Sequence, residues 1–457
     1  MKFKHLIVTA LGTAVLVGAC NSGGATTAPA TAGASSAPAS TAPESTAPES
    51  TAPESTAPES TTPESAAPSA GTESAAPSAG TESAAPSAGG DIVTDSPAAD
   101  LRTKLDLALG EHIIFASKAT GAALGGRDEE FAAYGDLLNK NGTDLGDMIG
   151  AAFGPEAADA FNKIWSAHNG FFVDYTVGVA KKDQATQDKA VKDLTTIYVP
   201  QFSELIAGAT GLPMDAVAEL TTQHVLQTKA IVDAQGAKDW KAAYAAIRTA
   251  YAHMQMIGDA IAPAIATKFP DKFSGDPSNK GVGLRVALNQ LLQEHLYLAS
   301  SATGAALDGR DDEFAAAGDV LNTNGTDIGA AIGSLYGPEA GDQFNKIWSA
   351  HNGFFVDYTV GVAKKDQAMQ DKAVSDLTTV YLPQFAEFLA GATGLPNEAL
   401  TGLIEEHVLT TKDIVDAQAS KDAAAAAAAD RAAGQHMQMI ADPLAGAIVA
   451  KLPDMFR

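Results

Sequence analysis

From about Ala98 onward, apolar residues recur three and four positions apart, and glycines and prolines cluster between the periodic runs. This pattern predicts helices and almost no strand. A first helix is expected from about Ala98 to Leu124, stopped by Gly125-Gly126. A second starts at Arg127-Asp128 and reaches about Phe153, with a break expected at Asn141-Gly142. Gly154-Pro155 opens a third that runs to about Lys182, since proline suits a first helical turn. A fourth covers about Gln184 to Ala209, with a kink expected at Pro200. After Gly211-Leu212-Pro213, a fifth spans Met214 to about Gln235. A sixth starts near Lys238-Asp239 and continues to about Lys268.

The same pattern is then written again. Phe161 to Ala185 returns unchanged as Phe344 to Ala368, 183 residues later, and the flanking sequence follows in the same register without insertion or deletion. A period this long exceeds that of solenoid repeats, so each copy reads as a complete bundle. The expectation is an all-α chain with two tandem homologous up-and-down helical bundles, about six helices each. Copy 1 is residues 97–273, a turn-rich linker is 274–283, and copy 2 is 284–457. Short connections make neighbouring helices antiparallel. A weaker echo lies within each copy, where His112 and His224 each precede the turn of a helix hairpin, at Gly126-Arg127-Asp128 and at Ala237-Lys238-Asp239.

Four histidines per copy fall on four different helices: His112, His168, His224 and His253, matched by His295, His351, His407 and His436. Residues three, four and seven apart share a helix face. His168 lies in the stripe Phe161, Trp165, Phe172, Tyr175. His112 shares its face with Leu105, Leu109 and Ala116, His224 with Val217, Leu220 and Ile231, and His253 with Ala250 and Ile257. All four therefore face inward. A buried imidazole needs a partner, and bundle interiors are where metal and cofactor sites are built from facing helices. The copies differ elsewhere, as where Thr103-Lys104 becomes Val286-Ala287, yet keep all four histidines.

Imidazole suits copper, zinc or iron, and a non-covalent haem is a further expectation, because no Cys-x-x-Cys-His motif occurs. Met256 and Met439 follow His253 and His436 by three residues and offer a thioether. Glu111, Glu294, Tyr175 and Tyr358 are further candidate ligands or supports for them. Arg248 and Arg431 are expected to pair with a carboxylate such as Asp233 or Asp416, or to steady a ligand. The run Ala423–Ala429 replaces the richer Trp240–Ala246 and should give the last helix of copy 2 a smaller contact surface. Glu-x-x-His, His-Glu-x-x-His, phosphate loops and the Gly-x-Ser-x-Gly elbow are all missing. The chain carries no catalytic signature.

Charge and the N-terminus place the bundles. The formal net charge is −25, which disfavours nucleic acid as a partner. One cysteine, Cys20, leaves no intrachain disulfide and no cysteine zinc site. Residues 1–20 carry Lys2 and Lys4, an apolar run from Leu6 to Val17, and then Val17-Gly18-Ala19-Cys20. This segment resembles the signal and lipobox of bacterial lipoproteins. That resemblance implies lipidation at Cys20, attachment to a membrane surface and an extracytoplasmic location in the cell envelope. Residues 21–96 repeat Ser-Thr-Ala-Pro-Glu and Ser-Ala-Ala-Pro-Ser units with almost no large apolar side chain. Such a segment cannot offset its chain entropy and is expected to be a disordered, extended tether, with Ser and Thr open to O-glycans. The expected function is non-catalytic binding of a transition metal or metal cofactor. The alternative is an envelope structural or protein-interaction module with packed histidines.

Overall fold

The computed structural model describes residues 93–457. The signal, Cys20 and nearly all of the expected tether lie outside the described residues. Within them the fold is all-α, two copies of one helical bundle. Copy 1 runs α1 (Pro97–Leu124), α2 (Asp128–Phe153), α3 (Pro155–Lys181), α4 (Gln184–Asp193), a π-helical turn (Leu194–Tyr198), α5 (Val199–Thr210), α6 (Met214–Ala237) and α7 (Trp240–Lys268). Copy 2 repeats it as α8 (Lys280–Leu307), α9 (Asp311–Tyr336), α10 (Pro338–Lys364), α11 (Gln367–Asp376), a π turn (Leu377–Tyr381), α12 (Leu382–Thr393), α13 (Asn397–Ala419) and α14 (Ala423–Lys451). A single turn, α15 (Pro453–Phe456), follows.

Local chemistry sets the helix ends. Ser96 caps α1 by accepting from the Ala99 amide at 3.2 Å, with Pro97 in the first turn. Asp183 and Asp239 cap α4 and α7 in the same way. The break expected at Asn141-Gly142 does not form, and α2 is continuous there. Both residues serve packing instead. Asn141 Nδ2 donates to the Ala108 carbonyl at 2.8 Å and ties α2 to α1. A Cβ on Gly142 would sit 2.7 Å from Trp165 Cδ1, so glycine lets that indole lie against α2.

The fourth expected helix is interrupted where a kink was expected, but by a π turn. The Val199 amide donates to the Leu194 carbonyl, five residues back. Pro200 has no amide hydrogen and its ring would crowd a carbonyl one turn earlier. The wider turn just before it removes that conflict, and it re-aims Tyr198 into the core.

Helix α1 is buried over most of its surface, as is α8, with Lys104 and Ala287 exposed. Each is surrounded by its own bundle and by the other copy, because α1 packs on α8, α2 on α14, and α7 on α9. One apolar cluster accordingly joins Leu109, Ile113 and Phe115 of copy 1 to Tyr297, Ala317 and Ala427 of copy 2. The contacts are reciprocal. Arg248 of copy 1 meets Glu294 and Asp327 of copy 2, and Arg431 of copy 2 meets Glu111 and Asp144 of copy 1. The partners expected for these arginines, Asp233 and Asp416, are taken by Lys229 and Lys412 at 2.6 and 2.5 Å. A pairing between i and i+4 on one helix was closer at hand for each aspartate. Between the copies lies a cleft of about 720 Å³, walled by Trp240 and Tyr244 on one side and Ala423 and Ala426 on the other. The alanine run leaves that space.

Candidate metal centre

Three helices of each copy bring one imidazole apiece to a common point. In copy 1 these are His112 from α1, His168 from α3 and His224 from α6, all buried. Ring centroids lie 5.4 Å apart for His112–His168, 5.7 Å for His112–His224 and 6.0 Å for His168–His224. One nitrogen from each ring falls within 4.8 Å of the other two. Copy 2 repeats the triad with His295, His351 and His407, at 5.3, 6.1 and 6.3 Å. Metal–nitrogen bonds of about 2.0 Å put the nitrogens of a three-coordinate site about 3.5 Å apart, so the rings need to close by roughly 1 Å around an ion.

Hydrogen bonding fixes which nitrogen is free. His168 Nδ1 lies 2.6 Å from the Trp165 carbonyl. A carbonyl only accepts, so Nδ1 carries the proton and the lone pair sits on Nε2. That Nε2 is buried without a partner. His351 makes the same bond to the Trp348 carbonyl at 2.6 Å. His112 Nδ1 and both nitrogens of His224 are likewise buried and unpartnered, as are His295 Nδ1 and His407 Nε2. Burial keeps these rings neutral. It holds His168 down to about 4, against a small opposing pull from the Trp165 carbonyl, and His224 down to about 3. Burial, with His168 and His224 beside it, holds His112 well below the usual imidazole range. The matching rings of copy 2 shift in the same direction. Neutral imidazoles with inward lone pairs are the form that binds metal.

The walls are aromatic. Trp165 lies 4.6 Å from both His112 and His168, and Tyr198 stacks on His168 at 4.5 Å and 15°. Trp348 and Tyr381 hold the same places, with Tyr381 at 4.7 Å and 16° from His351. In copy 2 a cleft of about 510 Å³ reaches the triad, lined by all three imidazoles with Thr303, Asn322 and Thr411. A smaller cavity of about 60 Å³ touches His407, Trp348, Tyr381 and Met437.

The other candidates lie elsewhere. The fourth histidine stays out of each triad. His253 Nε2 donates to the Leu220 carbonyl at 2.9 Å, and His436 does the same to Leu403 at 2.9 Å. These are satisfied core histidines. Met256 and Met439 are 57% and 60% exposed and face solvent; the buried thioethers are their neighbours Met254 and Met437. Glu111 and Glu294 are buried, but turn to Arg431 and Arg248 of the opposite copy. The Tyr175 and Tyr358 hydroxyls donate to Asp233 and Asp416 at 2.5 and 2.7 Å. Sequence reasoning passed over Tyr198 and Tyr381. The available signal was a tyrosine two residues before Pro200 and before Pro383.

No protein-family model, curated protein or solved structure matches this chain. The reading of the triads rests on their own geometry.

Proposed function

We propose that this protein binds one transition-metal ion in each copy, through His112, His168 and His224 and through His295, His351 and His407. The observation that carries the reading is the convergence of three neutral, buried imidazoles in each copy, with unpartnered nitrogens on all three in copy 1 and on His295 and His407 in copy 2. Leaving a buried polar atom unpaired costs about 1–3 kcal/mol. One ion satisfies three such nitrogens together. The Trp165 carbonyl bond to His168 supports the reading further, because metal-bound histidines commonly donate their second nitrogen in this way. A single ion suits the site better than haem. Three imidazole nitrogens within 4.8 Å of one another converge on a point, whereas a haem iron offers histidine only its two axial positions.

The reading is of binding, and the three-imidazole set leaves one coordination position to a small ligand or to none. The lipobox-like segment supports a location outside the cytoplasm, with the bundles held to a bacterial membrane through a lipid on Cys20. As an envelope structural module without a ligand, the protein would keep its core histidines in the manner of His253, each bonded to a carbonyl.

Thermal unfolding tests the proposal. Stoichiometric metal should raise the Tm of apo protein by several degrees, and a chelator should reverse it, because a ligand that binds only the folded state stabilises it. A Tm indifferent to copper, zinc, iron and chelator would count against the site.

A further inference from the structure

The reading above leaves the ion unspecified, and the chemistry around the triads narrows it. We propose that each triad selects monovalent copper over divalent ions. This inference rests on the metal-site reading and adds to it.

Charge is the first argument. All three donors are neutral, and the groups of close ligand atoms contain histidine alone, with no carboxylate among the described residues that form them. Glu111, next in the chain to His112, is held by Arg431, Asn141 and Tyr297. Nothing anionic therefore offsets the ion. The cost of burying an ion rises with the square of its charge, so a dication meets a penalty about four times that of a monocation in this aromatic interior.

The support behind the ligands is the second. Outer imidazole nitrogens of metal ligands are held by carboxylates, backbone carbonyls or waters, and only a carboxylate also brings negative charge to offset a dication. Here His168 is backed by a main-chain carbonyl, and His224 by no partner on either nitrogen. Coordination number is the third. Three nitrogens complete a trigonal monovalent copper centre, whereas zinc would need a fourth ligand such as water that the triad itself does not supply. A buried thioether also follows the fourth histidine in each copy. Met437 shares the 60 Å³ cavity with His407, and Met254 is buried at the equivalent place. Thioethers favour monovalent copper.

The experiment uses untagged full-length protein stripped of metal. Copper is added with ascorbate under argon, excess is removed, and the sample is exposed to air. The expected result is two equivalents of copper that stay silent in electron paramagnetic resonance. Its X-ray absorption should fit a three-coordinate monovalent ion with nitrogen ligands, and a tenfold excess of zinc should not displace it. His112→Ala with His295→Ala should abolish this retention. A stable divalent-copper signal in air, or displacement by zinc, overturns the monovalent assignment while leaving the metal site intact. Failure to retain copper, zinc or iron, or retention unchanged in the double variant, overturns the site itself.

Discussion

His168 donates its Nδ1 proton to the carbonyl of Trp165, three residues earlier on the same helix, at 2.6 Å. This bond decides which nitrogen faces the triad. It also couples the ring to the residue whose indole packs on both His168 and His112. Long-range proton–nitrogen spectra of the apo protein at pH 7 should therefore show His168 and His351 as neutral rings protonated at Nδ1. Rings protonated at Nε2, or as imidazolium, would remove the free lone pair.

The depressed histidines predict acid sensitivity. Their pKa values are lowered in the fold, to about 4 for His168 and about 3 for His224, from about 6.5 in the unfolded chain. The unfolded state then binds protons first. Stability from these rings is complete above about pH 6.5 and declines as pH falls towards the folded values, by at most about 1.4 kcal/mol per pH unit for each ring. Apo protein melted between pH 7 and pH 4 should lose Tm steadily. His224→Leu with His407→Leu should flatten that slope, and an unchanged slope would place the sensitivity elsewhere.

The reciprocal arginines hold the copies together from inside. Arg431 and Glu111 are both buried, and Arg431 bridges onward to Asp144. Arg431→Ala leaves the Glu111 charge without its cation and should cost about 3–5 kcal/mol in denaturant unfolding. Arg431→Met combined with Glu111→Gln should cost much less. Equal losses in the two variants would mean that packing, not charge, sets the effect.

Asp106 shows the opposite pH behaviour. It is buried beside Asp259, and burial, followed by the Asp259 charge, raises its pKa well above the usual range. Copy 2 has Asn289 at this place, donating to Asp442 at 2.7 Å. A raised carboxyl stabilises the fold at low pH, and that stability is lost as pH rises through the folded value. Asp106→Asn should therefore stabilise the protein by about 1–3 kcal/mol at pH 7. The gain should shrink as pH is lowered towards 4, and a destabilised variant at pH 7 would refute the assignment.

The helices could be read from punctuation. Gly125-Gly126, Gly154-Pro155 and Gly211-Leu212-Pro213 stop and start them where the chain suggests. The site was legible only as far as helical phase reaches. Phase tells which face a residue occupies, not its level along the bundle axis. His253 does face inward, but at the level of the Leu220 carbonyl rather than of the triad. Met256 sits just past the edge of the same face, and Met254 takes the buried place. Tyr198 was hidden because a π turn breaks the 3.6-residue period that such reasoning assumes. The partner of Glu111 lies in the other copy, a contact that no local pattern encodes.

Metal content with variants at all four histidine positions tests the central claim most directly. Untagged protein exposed to copper, zinc and iron and then desalted should carry two equivalents of one metal by mass spectrometry of the elements. His168→Ala should leave one equivalent, and His168→Ala with His351→Ala none. His253→Ala with His436→Ala should keep both, because these rings only bond carbonyls. Two equivalents surviving the loss of His168 and His351, or no metal in any form of the protein, would contradict the account.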